Sequence, residues 1–200
     1  MENFEEFFAA TFETATLEGD RVTLRGLRET ESGPMSAENL FKEIERSRDF
    51  LERDLPWVKT TDVFDIKKRI RAWVLNEQFS QGGCWLIFKN TPGNPEGMFA
   101  GAIMMDVNTH NHSATLSYWL SQPFTGQGLM TESVNLIVRF SFERLKLNRL
   151  QLLASVHNPK SAAVAIRCGF REEGINREYE LINGKFVDHR RFSLLASDVY

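Results

Sequence analysis

The sequence predicts an α/β domain in which six to seven mostly antiparallel strands form one mixed sheet with helices packed against it. Three observations carry this. Short alternating or apolar stretches recur along the chain, four windows of helical periodicity interrupt them, and Asn183-Gly184 separates the last two such stretches as a two-residue hairpin signal. With 200 residues, 42% hydrophobic and free of repeats or low-complexity tracts, residues 1–200 are long enough to enclose one core and are read as one domain.

Taken in order, an acidic N-terminal segment with helical character precedes a first strand, Arg21 to Leu27, whose polar and apolar residues alternate. Ser36 is an N-cap candidate for a helix over 37–48. Asp62 caps a longer one reaching about Phe79, with Ile66, Ile70, Trp73 and Val74 on one face. Leu55-Pro56-Trp57 breaks the chain between them. Gly82-Gly83 opens a strand over 84–88, and the loop TPGNPEG leads to its antiparallel neighbour, 98–105. A strand over 113–120 runs through Gln122-Pro123-Phe124-Thr125-Gly126-Gln127-Gly128 into a helix over 131–145, whose apolar face is broad enough to predict cover on more than one side. A strand over 149–156 is followed by Asn158-Pro159, an N-cap with proline at the first helical position, and Gly169 ends that helix. Strands over 170–180 and 185–195 complete the chain.

Composition narrows the function classes. No apolar run approaches the roughly 18 residues of a membrane span, and the acidic opening MENFEEFF lacks the basic start of an export signal. A cytoplasmic protein is expected. A formal charge of −3 argues against nucleic acid as a partner. Cys84 and Cys168 form no CxxC or even ladder and read as small buried hydrophobes. His110 and His112 in NTHNH lack carboxylate or cysteine companions, so no metal site is predicted. The run Lys67-Lys68-Arg69-Arg71 reads as a solvated helix face, and Trp57 and Trp85 as core.

The strand, glycine loop and helix over 118–142 offer free backbone N–H groups and a helix dipole to an anion, phosphate above all. The loop matches neither GxGxxG nor GxxxxGK[ST]. Its context is more telling: YWLSQPFTGQGLMTES, a helix, a strand, then SVHNPKSAAVAIRCGF and REYELINGKF. That succession resembles the GCN5-related N-acetyltransferases (GNAT), and within them the RimJ- and RimL-like branch that acetylates protein N-termini. The likeness covers about residues 20–195.

The resemblance implies helices on both faces of the sheet and a splayed parallel strand pair holding coenzyme A. It implies acetyl-coenzyme A as co-substrate, without a metal. The pyrophosphate would lie on backbone amides of Gly126, Gln127, Gly128, Leu129, Met130 and Thr131. Thr125 and Met130 depart from the general loop pattern [QR]xxGx[GA], while GQGxM fits the RimL-like form. The edge of the preceding strand at Trp119 and Leu120 would meet the pantetheine amides. Asn158 and Ser161 match the asparagine and serine beside the thioester. Ser161 would protonate or hydrogen-bond the departing sulfur as general acid.

Glu180, in EYELING, aligns with the glutamate that takes the proton from the attacking amine. An ordinary glutamate, with a pKa of about 4.3, is a weak base and needs either burial or a water relay for this role. Glu178, two residues away on the same face of a strand, is its nearest substitute. His157, next to Asn158, is a lesser candidate for donor or acceptor contact. The resemblance points to a protein N-terminal α-amine as acceptor, a ribosomal protein among the candidates. A small amine (polyamine, aminoglycoside or aminoacyl-nucleotide) and a non-catalytic acyl-coenzyme A sensor are the rival readings. Oligomeric state is left open, a homodimer included.

Overall fold

A computed structural model describes residues 16–28 and 35–199. Among them an eight-stranded sheet runs in the order β1-β2-β3-β4-β5-β6-β8-β7. The strands are β1 (Thr16–Glu18), β2 (Val22–Gly26), β3 (Gly82–Thr91), β4 (Asn94–Asn108), β5 (Ser113–Leu120), β6 (Arg149–Ser155), β7 (Arg171–Ile182) and β8 (Lys185–Leu195). Every pairing is antiparallel except β5 with β6. The expected mixed sheet is therefore present with one strand more than the upper expectation. The extra strand is β1, while the segment over 1–15, expected to be helical, lies outside the described residues. The tract expected as the loop TPGNPEG is largely sheet as well, because Thr91 pairs with Asn94 across a tight Pro92-Gly93 turn.

Helices cover both faces. On one side lie α1 (Ala37–Arg46) and α3 (Val63–Gln78), joined through the one-turn α2 (Arg48–Leu51) and a 3₁₀ turn over Pro56–Val58. Ser36 caps α1 through a bond from the Asn39 N–H, and Asp62 and Asp65 form a reciprocal capping box on α3. Leu40, Ile44, Ile66 and Ile70 pack there on Leu86, Phe88, Ala102 and Trp119. On the other side, α4 (Leu129–Arg139) and α5 (Pro159–Arg167) bury Val134, Ile137, Ala162 and Ala165 against Trp85, Ile103, Leu116 and Leu152.

The predicted helix over 131–145 is continuous but changes pitch. From Phe140 to Arg144 it widens to a π-turn, in which the Leu145 N–H reaches the Phe140 carbonyl at 3.1 Å. Three consecutive residues are buried both in the regular part, Leu136 to Val138, and in the π-turn, Phe140 to Phe142, so the helix is covered on more than one side. This accounts for the broad apolar face seen in the sequence.

The parallel pair positions the site. β5 and β6 pair only over Ser113↔Arg149 to Leu116↔Leu152. Beyond that, Ser117 to Leu120 pair with β4 alone, and Leu153 to Ser155 with β8 alone. The two strands thus part and leave facing edges of unpaired main chain.

Candidate active site

The glycine loop stands at the open end of this gap. Gly128 is the N-cap of α4 and adopts φ 78°, ψ −1°, a left-handed conformation that a side chain disfavours, and Gly126 has φ 74°. No side chain caps the helix, so its first-turn N–H groups face outward without a protein acceptor. The carboxylate of Glu132, in that turn, instead accepts from the Arg21 N–H at 2.9 Å. Gly126, Gln127 and Gly128 are exposed, whereas Leu129 and Met130 bury their side chains in the core and can offer a ligand only main-chain groups.

Sequence reasoning missed two cations held against this loop. Arg21 donates to the Gln127 carbonyl at 3.3 Å and Lys89 to Gln127 Oε1 at 2.7 Å, while Gln127 Nε2 donates to the Pro123 carbonyl at 2.7 Å. They come from the start of β2 and the end of β3, far from the loop in sequence, and only the sheet order brings them there. Exposed N–H groups, a helix dipole and nearby positive charge suit a pyrophosphate. Thr131 is engaged by neighbours, its hydroxyl accepting from Arg167 Nε at 3.2 Å.

Within the gap, the backbone of Trp119 and Leu120 forms the β5 edge, but the Trp119 side chain is core, set edge-on to Phe99 at 5.9 Å. Asn158 accepts the Ser161 N–H at 3.1 Å and caps α5. The Ser161 hydroxyl lies 3.0 Å from the Tyr118 hydroxyl, which is also 3.2 Å from the Ser161 carbonyl. Burial pushes the Tyr118 phenol up to about 12, only partly opposed by its bond with Ser161. Tyr118 is a third residue that sequence reasoning passed over; its place in YWL showed a strand residue, not a hydroxyl reaching a helix.

Glu180 sits on the opposite face. Leu150, Leu152 and Ala154 point from β6 toward α4 and α5, so Ser155 points the other way; its cross-strand partner His189 shares its face, as do Val187 and, opposite Val187, Glu180. Glu180 Oε2 lies 3.3 Å from His189 Nε2. His189 is buried, and its Nδ1 has no hydrogen-bond partner. The glutamate side chain itself is 46% exposed and keeps its contact with water.

The strand around Glu178 is irregular. Between Asn176↔His189 and Glu180↔Val187 three residues of β7 oppose Asp188 alone, and Glu178 takes φ 49° with its N–H bonded to Asp188 Oδ1 at 2.7 Å. The bulge interrupts the two-residue alternation on which the expectation rested. On the same side of the sheet, Asn183 Nδ2 ties the β7–β8 turn to the Glu52 carbonyl at 3.3 Å, and burial pushes the nearby Asp54 carboxyl upward against the opposing charges of Arg53 and His157. His157 is exposed, and its N–H bonds to Ser155 Oγ at 3.2 Å.

The remaining candidates find structural partners. Lys67 pairs with Glu38 at 2.8 Å and Lys68 with Asp65 at 3.5 Å, and Arg69 lies over the Trp57 ring at 4.3 Å, so the basic run is not a free cationic face. Both cysteines are buried thiols; burial pushes Cys168 up to about 11 and Cys84 higher still. His110 and His112 occupy the exposed turn between β4 and β5. Among the described residues no helix is long and apolar enough to cross a membrane.

A sheet opened at one parallel pair, with an uncapped helix start at its mouth and hydroxyl and carboxylate groups on its two faces, is an arrangement that suits a coenzyme A-dependent acyltransferase. The chain matches the model of the acetyltransferase (GNAT) domain over residues 21–171 and belongs to that family. It is an N-acetyltransferase with acetyl-coenzyme A as donor. It is 37% identical over 104 residues to a putative ribosomal N-acetyltransferase, YdaF, of Bacillus subtilis, a match spanning 52% of this chain and 57% of that relative. It is 26% identical to the ribosomal-protein-serine acetyltransferase of Escherichia coli, over 74% of this chain and 81% of the other. The solved structure of RimL, a ribosomal L7/L12 α-N-protein acetyltransferase in complex with coenzyme A, shares the fold with a TM-score of 0.81 at 23% identity, covering 90% and 98% of the two chains.

Proposed function

We propose that this enzyme acetylates the α-amino group of a protein N-terminus, a ribosomal protein being the class of acceptor that its relatives suggest. The observation that carries this reading is the exposed Glu180 carboxylate, fixed by His189 on the sheet face opposite Ser161. Donor and acceptor then approach from opposite faces and meet in the gap between β5 and β6. At pH 7 an α-amine with a pKa near 7.8 costs about 1 kcal/mol to neutralise and a lysine near 10.4 about 4.6 kcal/mol. A water-exposed carboxylate acting directly or through water copes with the first more readily.

Acetyl-coenzyme A supplies an already activated acyl group, so no covalent enzyme intermediate is needed. The first-turn N–H groups from Gly126 to Thr131 hold the pyrophosphate, and the free β5 edge at Trp119 and Leu120 orients the pantetheine arm. Asn158 fixes the first turn of α5 and with it Ser161, whose hydroxyl donates to the sulfur as the C–S bond breaks. Glu180 receives the amine's proton. Two buried free thiols fit action in the cytoplasm, and a formal charge of −3 fits a protein substrate better than nucleic acid.

The test is turnover of acetyl-coenzyme A against a panel of amines. An alanine- or serine-initiated peptide should be acetylated at its terminus, and the same peptide with a blocked terminus and a free lysine should not. Acetylation of spermidine or lysine in preference to the free terminus would overturn the acceptor assignment.

A further inference from the structure

We infer that Tyr118 is a positioning residue for the leaving group: its hydroxyl and that of Ser161 form a two-donor chain ending on the departing sulfur. The inference rests on the proposed role of Ser161. Tyr118 projects from the part of β5 that has lost its β6 partner, and it points to the α5 side of the sheet. There its oxygen lies within reach of two acceptors on one residue, the Ser161 carbonyl at 3.2 Å and Ser161 Oγ at 3.0 Å.

These contacts allow two proton arrangements. With the phenol donating to the carbonyl, the serine proton is drawn back onto the phenol oxygen and is lost to the substrate. With the phenol donating to Oγ, the serine proton is free to leave the pair. A negative charge growing on sulfur near Ser161 selects the second arrangement, because a hydrogen bond to an anion is roughly twice as strong as a neutral one and each donor in a chain strengthens the next. The amine nitrogen forms the new C–N bond, the C–S electron pair departs on sulfur, and the nitrogen's proton goes to Glu180 or water. Ser161 shares its proton with sulfur while Tyr118 shares its own with Ser161. The phenol keeps its proton, since burial makes the phenolate costly. Coenzyme A leaves as thiolate and takes its proton from water.

Tyr118→Phe keeps the ring and removes only the hydroxyl. Release of coenzyme A should be followed with an alanine-initiated peptide and in parallel with spermidine, using whichever amine the parent enzyme acetylates. The expected result is a fall in kcat of about tenfold, the scale of one lost hydrogen bond in a buried chain, with the KM and Kd for acetyl-coenzyme A unchanged. Ser161→Ala should fall by about 10²- to 10⁴-fold. The double variant should match Ser161→Ala within about twofold, since Tyr118 acts only through Ser161.

A purely structural Tyr118 would instead lower donor affinity or thermal stability and leave kcat in place. If Ser161→Ala is impaired while Tyr118→Phe keeps a kcat within about twofold of the parent, or if the two losses simply add, this inference is overturned and the role of Ser161 stands. If Ser161→Ala itself runs at the parent rate, both are wrong.

Discussion

Replacing Gly128 by valine tests the assignment of the donor site. At φ 78° the residue is left-handed, and any L side chain there costs about 1–2 kcal/mol. The added Cβ would stand 2.8 Å from Arg21 Nη1. That atom is the far end of a flexible side chain and can swing aside at the expense of its 3.3 Å bond to the Gln127 carbonyl. The fold should therefore survive with a melting temperature lowered by a few degrees.

Donor binding should suffer far more. A branched side chain at the N-cap stands where the pyrophosphate must approach the first-turn N–H groups. Losing two charge-assisted bonds at about 1.5–3 kcal/mol each amounts to about 3–6 kcal/mol, or a Kd weaker by roughly 10²- to 10⁴-fold. Titration calorimetry with acetyl-coenzyme A measures this directly. Gly128→Asn separates the two effects, because asparagine tolerates the left-handed region and should restore much of the stability while still crowding the phosphates. If both variants are folded and bind acetyl-coenzyme A within twofold of the parent, the pyrophosphate does not lie on this loop.

Further expectations follow from other groups. Glu180→Gln should cut turnover at pH 7 and recover as the pH rises, fully by about pH 8–9 for an α-amine acceptor but still climbing at pH 10 for a lysine-like one; a rate and profile that overlay the parent would remove Glu180 from the mechanism. Glu173 is held down to about 2 by hydrogen bonds from Arg149, at 2.9 Å, and Ser193. A carboxyl depressed in the folded state stabilises above its unfolded value of about 4.3 and loses that contribution as pH falls toward 2. Because the pair is partly exposed, Glu173→Gln should cost only about 0.5–1 kcal/mol at pH 7, a difference that should vanish in thermal melts near pH 2. Iodoacetamide at pH 7.5 should leave Cys84 and Cys168 unmodified and activity intact, since both thiols are buried and pushed upward; rapid alkylation of the native enzyme would show an opening that exposes them.

Local signals made much of the fold legible. Asp62, Ser36 and Asn158-Pro159 marked three helix starts correctly, because capping bonds reach only two or three residues along the chain. Strand ends were less readable, since the β3–β4 pairing continues through polar residues 94–97 that carry no apolar alternation. The resemblance picked out the glycine loop, Asn158, Ser161 and Glu180, all borne on motifs contiguous in sequence. It could not supply Arg21, Lys89, Tyr118 or His189, which reach those motifs from other strands by register alone. The bulge at Glu178, whose N–H bonds to Asp188, was equally illegible, because it arises from the pairing of β7 with β8 and not from the motif.

The parting of β5 from β6 has a mechanical side. Four facing pairs are the seam between a five-strand sheet, β1 to β5, and a three-strand one, β6, β8 and β7. Elsewhere neighbouring strands are stitched along their length, so bending between the halves concentrates in this short seam. A slender molecule laid along both bare edges works as a suture, adding cross-links where two long central strands share few of their own. Whatever occupies the cleft therefore stiffens the protein as it reacts, and its departure returns the two halves to their looser hinge.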